Sequence, residues 1–377
     1  MDLTEEQSMI ADVAGAFATN CMRSNAREWD EAGVLDRTVL KALADLGFGG
    51  IYASEPYGGS ALRRIDAVII FEQLAKGCIS HTTYLSIHNM VTWMVDRFGS
   101  NQLRERYVPG LCSADKLASY CLTEPNAGSD AASLRTSARK DGAEYVLNGS
   151  KVFISGAGFS DLYLVMARTS DDKARGISAF LVEKGTPGLT FGKVEKKMGW
   201  RAQPTAMVLF DDCRIPESHR IGGEGNGFKI AMAGLDGGRL NIAACSLGGA
   251  QDALDRAIAY GRERVQFGQS ILEFQANRFK VADMETDLHA ARSLLYLAAS
   301  KLDADAFEAT KYCAMAKRFV TDAGFKVANE ALQLHGGYGY LSEYDVERIV
   351  RDLRVHQILE GTNEIMRVIV ARSLLEK

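Results

Sequence analysis

A chain of 377 residues holds about two and a half domains at roughly 150 residues each, and its 47% hydrophobic and 24% charged composition excludes a disordered or fibrous protein. Lys and Arg number 44 against 48 Asp and Glu, a net charge of −4 that lacks the basic face nucleic acid or an anionic membrane demands. In chain order, residues 1 to about 117 read as helices. Thr4 followed three residues later by Gln7 is a capping box opening the first of them. Asp66–Ala75 and His88–Phe98 carry apolar residues at helical spacing, with Glu55-Pro56-Tyr57-Gly58-Gly59 as a loop between.

From about 118 to 225 the period changes to that of short strands. Asn148-Gly149, between Tyr145-Val146-Leu147 and Lys151–Ser155, predicts a tight hairpin turn. Further β runs are expected at Leu162–Ala167, Ile177–Val182, Leu189–Val194 and Ala206–Phe210, punctuated by Pro125, Pro187, Pro204 and Pro216. No proline follows Pro216, and the 161 residues after it predict a large helical domain, with helices at Leu247–Arg264, Ala276–Lys301, Phe307–Leu334 and Asp345–Ile358. The expected architecture is α+β: domains at 1–117 (helical), 118–225 (β) and 226–377 (helical), a helical bundle packed around a small barrel.

Gly223-Glu224-Gly225-Asn226-Gly227 is GxGxG, without the βαβ setting of a dinucleotide fingerprint, and reads as a loop entering a helix. No phosphate loop of the nucleotide hydrolases is present. Seven cysteines show no CxxC spacing and six histidines form no HxxxH or HExxH, so neither a disulfide framework nor a metal site is expected. The acidic start Met1-Asp2-Leu3-Thr4-Glu5-Glu6 is unlike a signal or transit peptide, and no apolar run approaches the ~18 residues of a spanning helix. The chain reads as soluble and intracellular, without membrane insertion and without nucleic acid as a partner.

Two segments carry chemistry. Tyr120 to Asp130 packs a hydroxyl, several small residues and a proline into a loop leading into the β domain, where backbone donors can meet a ring edge; the spacing alone favours an ordinary interdomain loop. Glu360 falls in a break between helical patterns, beside Ile358, Leu359 and Gly361. Desolvation there would raise its pKa, as a proton-abstracting base requires. Thr362 or Asn363 is positioned to cap the last helix, whose apolar face is Ile365, Val368 and Ile369.

Together with the 148–155 segment, Asp236–Arg239, Arg264–Gly268 and Gln333–Gly337, these segments resemble the acyl-CoA dehydrogenase family over the whole length and in order. Within the family the likeness is greatest to short branched-chain members acting on isobutyryl-CoA, notably in Ser119–Pro125, Ser155–Gly158, Leu332–Leu341 and Arg354–Asn363. The resemblance implies an N-terminal helical domain, a middle β-barrel, a C-terminal four-helix bundle, and a homotetramer built as a dimer of dimers. It also implies FAD between the β domain and the bundle, partly covered by a neighbouring subunit, with an electron-transfer flavoprotein as electron acceptor.

Residue by residue, the resemblance makes Glu360 the base that removes the α-proton of an acyl-CoA while the β-hydrogen leaves as hydride to flavin N5. Some family members carry the base immediately before the Arg that aligns with Arg239; here that position is Gly238. Tyr120, Leu122, Thr123, Gly128, Ser129, Phe153, Ile154 and Ser155 would surround the flavin ring. Many relatives have Trp where this chain has Phe153. Arg264 would hold the pyrophosphate, with Phe267, Phe274, Gln275, Gln333, Gly336 and Gly337 towards the adenine and diphosphate, and Thr362 and Glu364 following the base. Ser129, Asp236, Arg239 and Arg372 would meet the CoA portion, Leu359 and Gly361 the acyl end. Positive charge for the phosphates is expected at Arg239, Arg264 and Arg372. The reaction implied is isobutyryl-CoA to methacrylyl-CoA, a step of valine catabolism, in the cytoplasm of a bacterium or the mitochondrial matrix of a eukaryote. A 2-methylbutyryl- or butyryl-CoA dehydrogenase, an acyl-CoA oxidase and a catalytically silent flavin-binding member are its rivals.

Overall fold

The computed structural model describes residues 3–376; Met1 and Asp2 of the acidic start, and Lys377, lie outside the described residues. Six helices come first: α1 (Glu5–Phe17), α2 (Ala26–Ala32), α3 (Arg37–Asp45), α4 (Arg64–Ala75), α5 (Ile79–Phe98) and α6 (Asn101–Cys112). The capping box forms as expected: Gln7 N donates to Thr4 Oγ1 at 3.2 Å and Thr4 N to Gln7 Oε1 at 3.1 Å. α4 is buried on nearly every side, including its charged Glu72, because later helices cover the face that α1 leaves open.

Eight strands follow: β1 (Ala118–Cys121), β2 (Ser137–Asp141), β3 (Glu144–Ser155), β4 (Leu162–Arg168), β5 (Ile177–Glu183), β6 (Leu189–Phe191), β7 (Thr205–Pro216) and β8 (Arg220–Ile221). They make one sheet in the order β6-β7-β3-β2-β4-β5-β8, with β1 parallel to β4. Alternation along β4 serves two cores. Tyr163, Val165 and Ala167 join an inner cluster shared by strands across the sheet, whereas Leu162, Leu164 and Met166 pack against side chains of α5 and α6.

The hairpin expected at Asn148-Gly149 does not form. β3 runs straight through it, and the turn lies instead between Asp141 and Glu144, where Gly142 has φ +64. Asn148 spends its amide on β7, donating from Nδ2 to Asp212 Oδ1 at 3.0 Å and accepting from Asp212 N at 2.8 Å. Gly149 (φ +141) is a bulge that brings β3 close to Thr136, where a Cβ would lie 2.7 Å from the Thr136 Cα. The same residue types thus made a bulge rather than a turn. Asp141-Gly142 carried an equal turn signal.

The rest is helical: α7 (Gly227–Glu263), a small hairpin of β9 (Val265–Gln266) and β10 (Gln269–Ser270), then α8 (Gln275–Asp303), α9 (Ala309–His335), α10 (Val346–Arg354) and α11 (Asn363–Leu375). α7 enters from the glycine loop at 223–226 and begins 20 residues before the expected Leu247. Its glycines, which cost a helix about 1 kcal/mol each relative to Ala, permit close packing: a Cβ at Gly234 would lie 2.5 Å from Met94 Cε on α5, and one at Gly248 2.0 Å from the Glu72 carbonyl oxygen on α4. Buried Glu72 is in turn satisfied by Arg292 at 2.8 Å and the Tyr296 hydroxyl at 3.0 Å, both on α8, which ties the first helical region to the last. No helix of the described residues is long and apolar enough to cross a membrane.

Candidate active site

Between α10 and α11 the chain makes a 3-10 turn at Val355–Gln357 and then turns sharply at Glu360 (φ +54) and Gly361 (φ +89). A left-handed backbone costs a non-glycine residue about 1–2 kcal/mol, so the surroundings must hold Glu360 in place. Lys317 of α9 donates from Nζ to the Gly361 oxygen at 2.9 Å, and Thr362 caps α11 by accepting from Ile365 N at 3.3 Å. The turn aims the Glu360 carboxylate at α7, where the backbone is bare: a Cβ on Gly238 would lie 2.4 Å from Glu360 Oε2. Glu360 is half-buried, but its Oε2 is shut off from solvent and has no hydrogen-bond partner. Burial pushes the carboxyl up to about 7, with the Lys317 and Arg239 charges pulling it only partly back. A buried, unpartnered oxygen of near-neutral basicity is suited to taking a proton from carbon.

Tyr120 on β1 presents a second orphan near Glu360, a buried hydroxyl with no partner, and burial pushes that phenol well up. The loop after β1 is pinned from beneath. Lys151, wholly buried on β3, donates to the Leu122 oxygen at 3.1 Å and to Glu124 Oε1 at 2.7 Å, while Glu124 also accepts from Arg135 N at 2.6 Å and Thr136 N at 2.8 Å. Val152 N donates to the Thr123 oxygen at 2.9 Å, which sets the loop beside the end of β3. At that end a second bulge opposite β7 puts Phe153 at φ +59 and 71% exposed, between buried Val152 and Ile154. A strained backbone that turns an aromatic ring outward is a feature of ligand platforms. Ser155 is half-buried, and Gly128 and Ser129 are exposed; a Cβ at Gly128 would meet nothing within 4 Å.

Asp236 and Arg239 lie one turn apart on α7 and face each other, Arg239 Nη1 to Asp236 Oδ1 at 2.6 Å, with Thr310 donating to Asp236 Oδ2 at 2.6 Å. Arg239 is 4% exposed; its charge serves Asp236 and the Glu360 turn, whose oxygen lies 3.5 Å from its Nε. Arg372 is exposed near the end of α11, 3.4 Å from Glu376. Leu359 packs against the main core beside the base. Glu364 is exposed in the first turn of α11.

The remaining residues form a separate site. Arg264 caps α7, 26 residues beyond Gly238 and therefore about 39 Å away at 1.5 Å per residue. It borders a groove of about 600 Å³ with Gln333, Gly336, Gly337, Tyr260, Lys280 and Tyr338. The Arg264 guanidinium stands 5.4 Å over the Tyr338 ring. A Cβ at Gly336 or Gly337 would meet nothing within 4 Å, so the groove wall is open there. Phe267 (φ +53) is 94% exposed, edge-on to Phe274 at 6.2 Å, and Gln275 is exposed at the start of α8. One chain thus holds Glu360 and Tyr120 near Gly238 in the first half of α7, and Arg264, Gln333 and Gly337 at its far end.

Three family models match the chain in succession: acyl-CoA dehydrogenase N-terminal domain over residues 4–115, middle domain over 119–213 and C-terminal domain over 225–375. The chain belongs to the acyl-CoA dehydrogenase family. Among its relatives, the mitochondrial isobutyryl-CoA dehydrogenase of Bos taurus is 52% identical over 377 residues, covering 100% of this chain and 91% of the relative. That of Dictyostelium discoideum is 53% identical over 373 residues, covering 99% and 90%. Among solved structures, butyryl-CoA dehydrogenase from Megasphaera elsdenii superposes with a TM-score of 0.97 at 39% identity, and a chain described as the electron transferring flavoprotein of Acidaminococcus fermentans with 0.97 at 40%; coverage is 100% of both chains in each pair. This acyl-CoA dehydrogenase also contains functional neighbours that the sequence reading missed. Lys317 and the Lys151–Glu124 pair are lysines and a glutamate that look like solvated surface in one dimension. So is the contact of Trp200 Nε1 with His356 Nε2 at 3.1 Å, which ties the loop before β7 to the turn that leads to the base.

Proposed function

We propose that the chain is an FAD-dependent dehydrogenase of short branched-chain acyl-CoA, converting isobutyryl-CoA to methacrylyl-CoA, with Glu360 as the base. The observation that carries the catalytic assignment is the buried, unpartnered Glu360 Oε2 facing the bare backbone of Gly238; likeness at 52% and 53% identity to isobutyryl-CoA dehydrogenases supports the substrate. The residues fit the flavin dinucleotide that family membership leads us to expect: Phe153 offers a ring wall, Tyr120 a free hydroxyl, Gly128 an open approach, and Arg264 a planar cation suited to a pyrophosphate. When bound, FAD supplies the acceptor for the hydride that leaves the β-carbon. Glu360 in its carboxylate form takes the α-proton and becomes neutral. Lys317 and Arg239 are the positive charges nearest the site, and they favour the ionised base before the step. The Lys151–Glu124 pair keeps the Leu122–Ser129 loop where its backbone can meet the ring.

The spacing of about 39 Å along α7 leads us to assign the Arg264 groove to the FAD of a second subunit, within a homotetramer. The assignment of three domains at 1–117, 118–225 and 226–377 is supported by the change from helices to strands and back. An electron-transferring flavoprotein is the proposed electron acceptor, consistent with the likeness to the Acidaminococcus chain. The proposed compartment is a reducing one, the bacterial cytoplasm or the mitochondrial matrix, in keeping with seven free cysteines.

The test is anaerobic bleaching of the yellow protein by a panel of short acyl-CoAs. Isobutyryl-CoA is expected to bleach fastest; faster bleaching by a straight-chain substrate would reassign the specificity. Glu360→Gln is expected to keep its FAD and lose bleaching by at least about 10³-fold, within the range of general-base contributions. On admission of air, rapid reoxidation with peroxide would reassign the protein as an oxidase.

A further inference from the structure

Lys317 is wholly buried on α9, yet both hydrogen bonds of its ammonium go to neutral acceptors: the Gly361 oxygen and Asn363 Oδ1, each at 2.9 Å. A buried cation without a bonded anion is costly unless its charge is used elsewhere. The orientation of the Asn363 amide is dictated from behind, since its Nδ2 donates to Asp322 Oδ1 at 2.7 Å and Thr321 Oγ1 at 2.9 Å, leaving Oδ1 for Lys317. The anions that face Lys317 are Glu360, then Asp322 and Glu364; Arg239 opposes it, and His356 beside it is held neutral by burial.

From the side of Glu360 the inventory is equally restricted. Tyr52, Tyr120 and Cys245 face it, and burial pushes each of them up, so all three are neutral. Arg239 faces it with its charge already paired to Asp236 at 2.6 Å. Arg64, stacked 3.7 Å over the Tyr52 ring, lies behind that tyrosine. Lys317 is then the positive charge near the base that no carboxylate bonds. It also grips the Gly361 carbonyl, on the peptide unit that leads out of the two left-handed residues Glu360 and Gly361.

We propose that Lys317 is the positioning residue of the base: through the Gly361 carbonyl and Asn363 it holds Glu360 in its strained turn, and its charge keeps the carboxylate ionised for proton abstraction. The inference rests on Glu360 being the base. Burial presses Lys317 down to about 8 and Glu360 up to about 7, and the charge of each opposes the shift of the other.

The experiment compares Lys317→Met, Lys317→Gln and Lys317→Arg holoenzymes with the wild type and with Glu360→Gln. The first readout is the pH dependence of the limiting rate of flavin bleaching by isobutyryl-CoA. The second is the infrared carboxyl signal of Glu360 in substrate-free protein, identified by its loss in Glu360→Gln. In both neutral variants the acid limb and the carboxyl titration are expected to rise together by about one pH unit, with roughly tenfold slower bleaching on the acid side. Lys317→Arg is expected to stay near the wild type. A carboxyl titration unmoved in the neutral variants, or moved as far in Lys317→Arg, overturns the proposal. Recovery of FAD-loaded protein from the Arg variant but from neither neutral one also overturns it and leaves Lys317 a structural residue. Bleaching that survives in Glu360→Gln instead refutes the base assignment, whatever the infrared titrations show.

Discussion

A carboxylate that takes a proton from carbon needs an unpaired oxygen and a basicity near neutral, and both cost stability. Because Glu360 is raised from the ordinary 4.5 to about 7 by burial, the folded protein holds its proton more tightly than the unfolded chain between those values. Stability therefore falls as pH rises through that window and stays reduced above it. Two expectations follow from the one group. Bleaching should increase with pH around a midpoint near 7, since the ionised form is the active one. Glu360→Gln should melt at a higher temperature than the wild type at pH 8, by the equivalent of about 1–2 kcal/mol after allowance for its partial exposure, and the advantage should vanish near pH 4.5 in a calorimetric series. An equal advantage at both ends of the series would mean that the carboxyl is not the strained group. Gly238→Ala tests the same contact from the other side. A Cβ placed 2.4 Å from Oε2 must displace the carboxylate, so at least about a tenfold loss in bleaching rate is expected, with FAD retained and its visible spectrum little changed.

At the scale of elements, the loop proposed to meet the flavin is pinned by a buried ion pair between β3 and the turn after β1. Lys151→Met removes one partner and leaves Glu124 buried with only two backbone donors. Breaking such a pair costs about 3–5 kcal/mol. Lys151→Met is expected to lose FAD during purification and to unfold at markedly lower urea; the double change Lys151→Met with Glu124→Gln should recover much of the loss. No recovery in the double variant would show that the loop depends on Lys151 packing rather than on its charge. The same strand shows how a local signal is overruled. Asn148-Gly149 has the composition of a turn, but the side chain and backbone find better partners in Asp212 and against Thr136, and the strand continues as a bulge.

The whole molecule poses a question of sharing. The base and the Arg264 groove are about 39 Å apart along one helix, and the proposed tetramer gives them to different FAD molecules. Subunit mixing tests this. Glu360→Gln and Arg264→Ala chains are each expected to be inactive alone. Co-expressed, they should regain activity approaching that of half the sites in mixed pairs, because an Arg264→Ala chain keeps its own base and borrows Arg264 from its companion. Were both residues to serve the FAD of their own chain, every site would carry one defect and no activity would return.

The order of helical, β and helical segments, the capping box at Thr4, the glycine loop that opens α7 and the break that carries Glu360 were all legible in the amino-acid sequence. They are written in local patterns: proline placement, hydrophobic period and helix-end residues act over a few positions and read out in one dimension. The rest came from packing between distant segments. Such packing made Asn148-Gly149 a bulge, seated α7 on α4 through Gly248, and paired Arg239 with Asp236. It also brought Lys317 to the carbonyl of Gly361, 44 positions further along the chain. A lysine on a helix looks the same in sequence whether it faces water or a buried turn; only the packing that removes water decides which, and with it what the charge does.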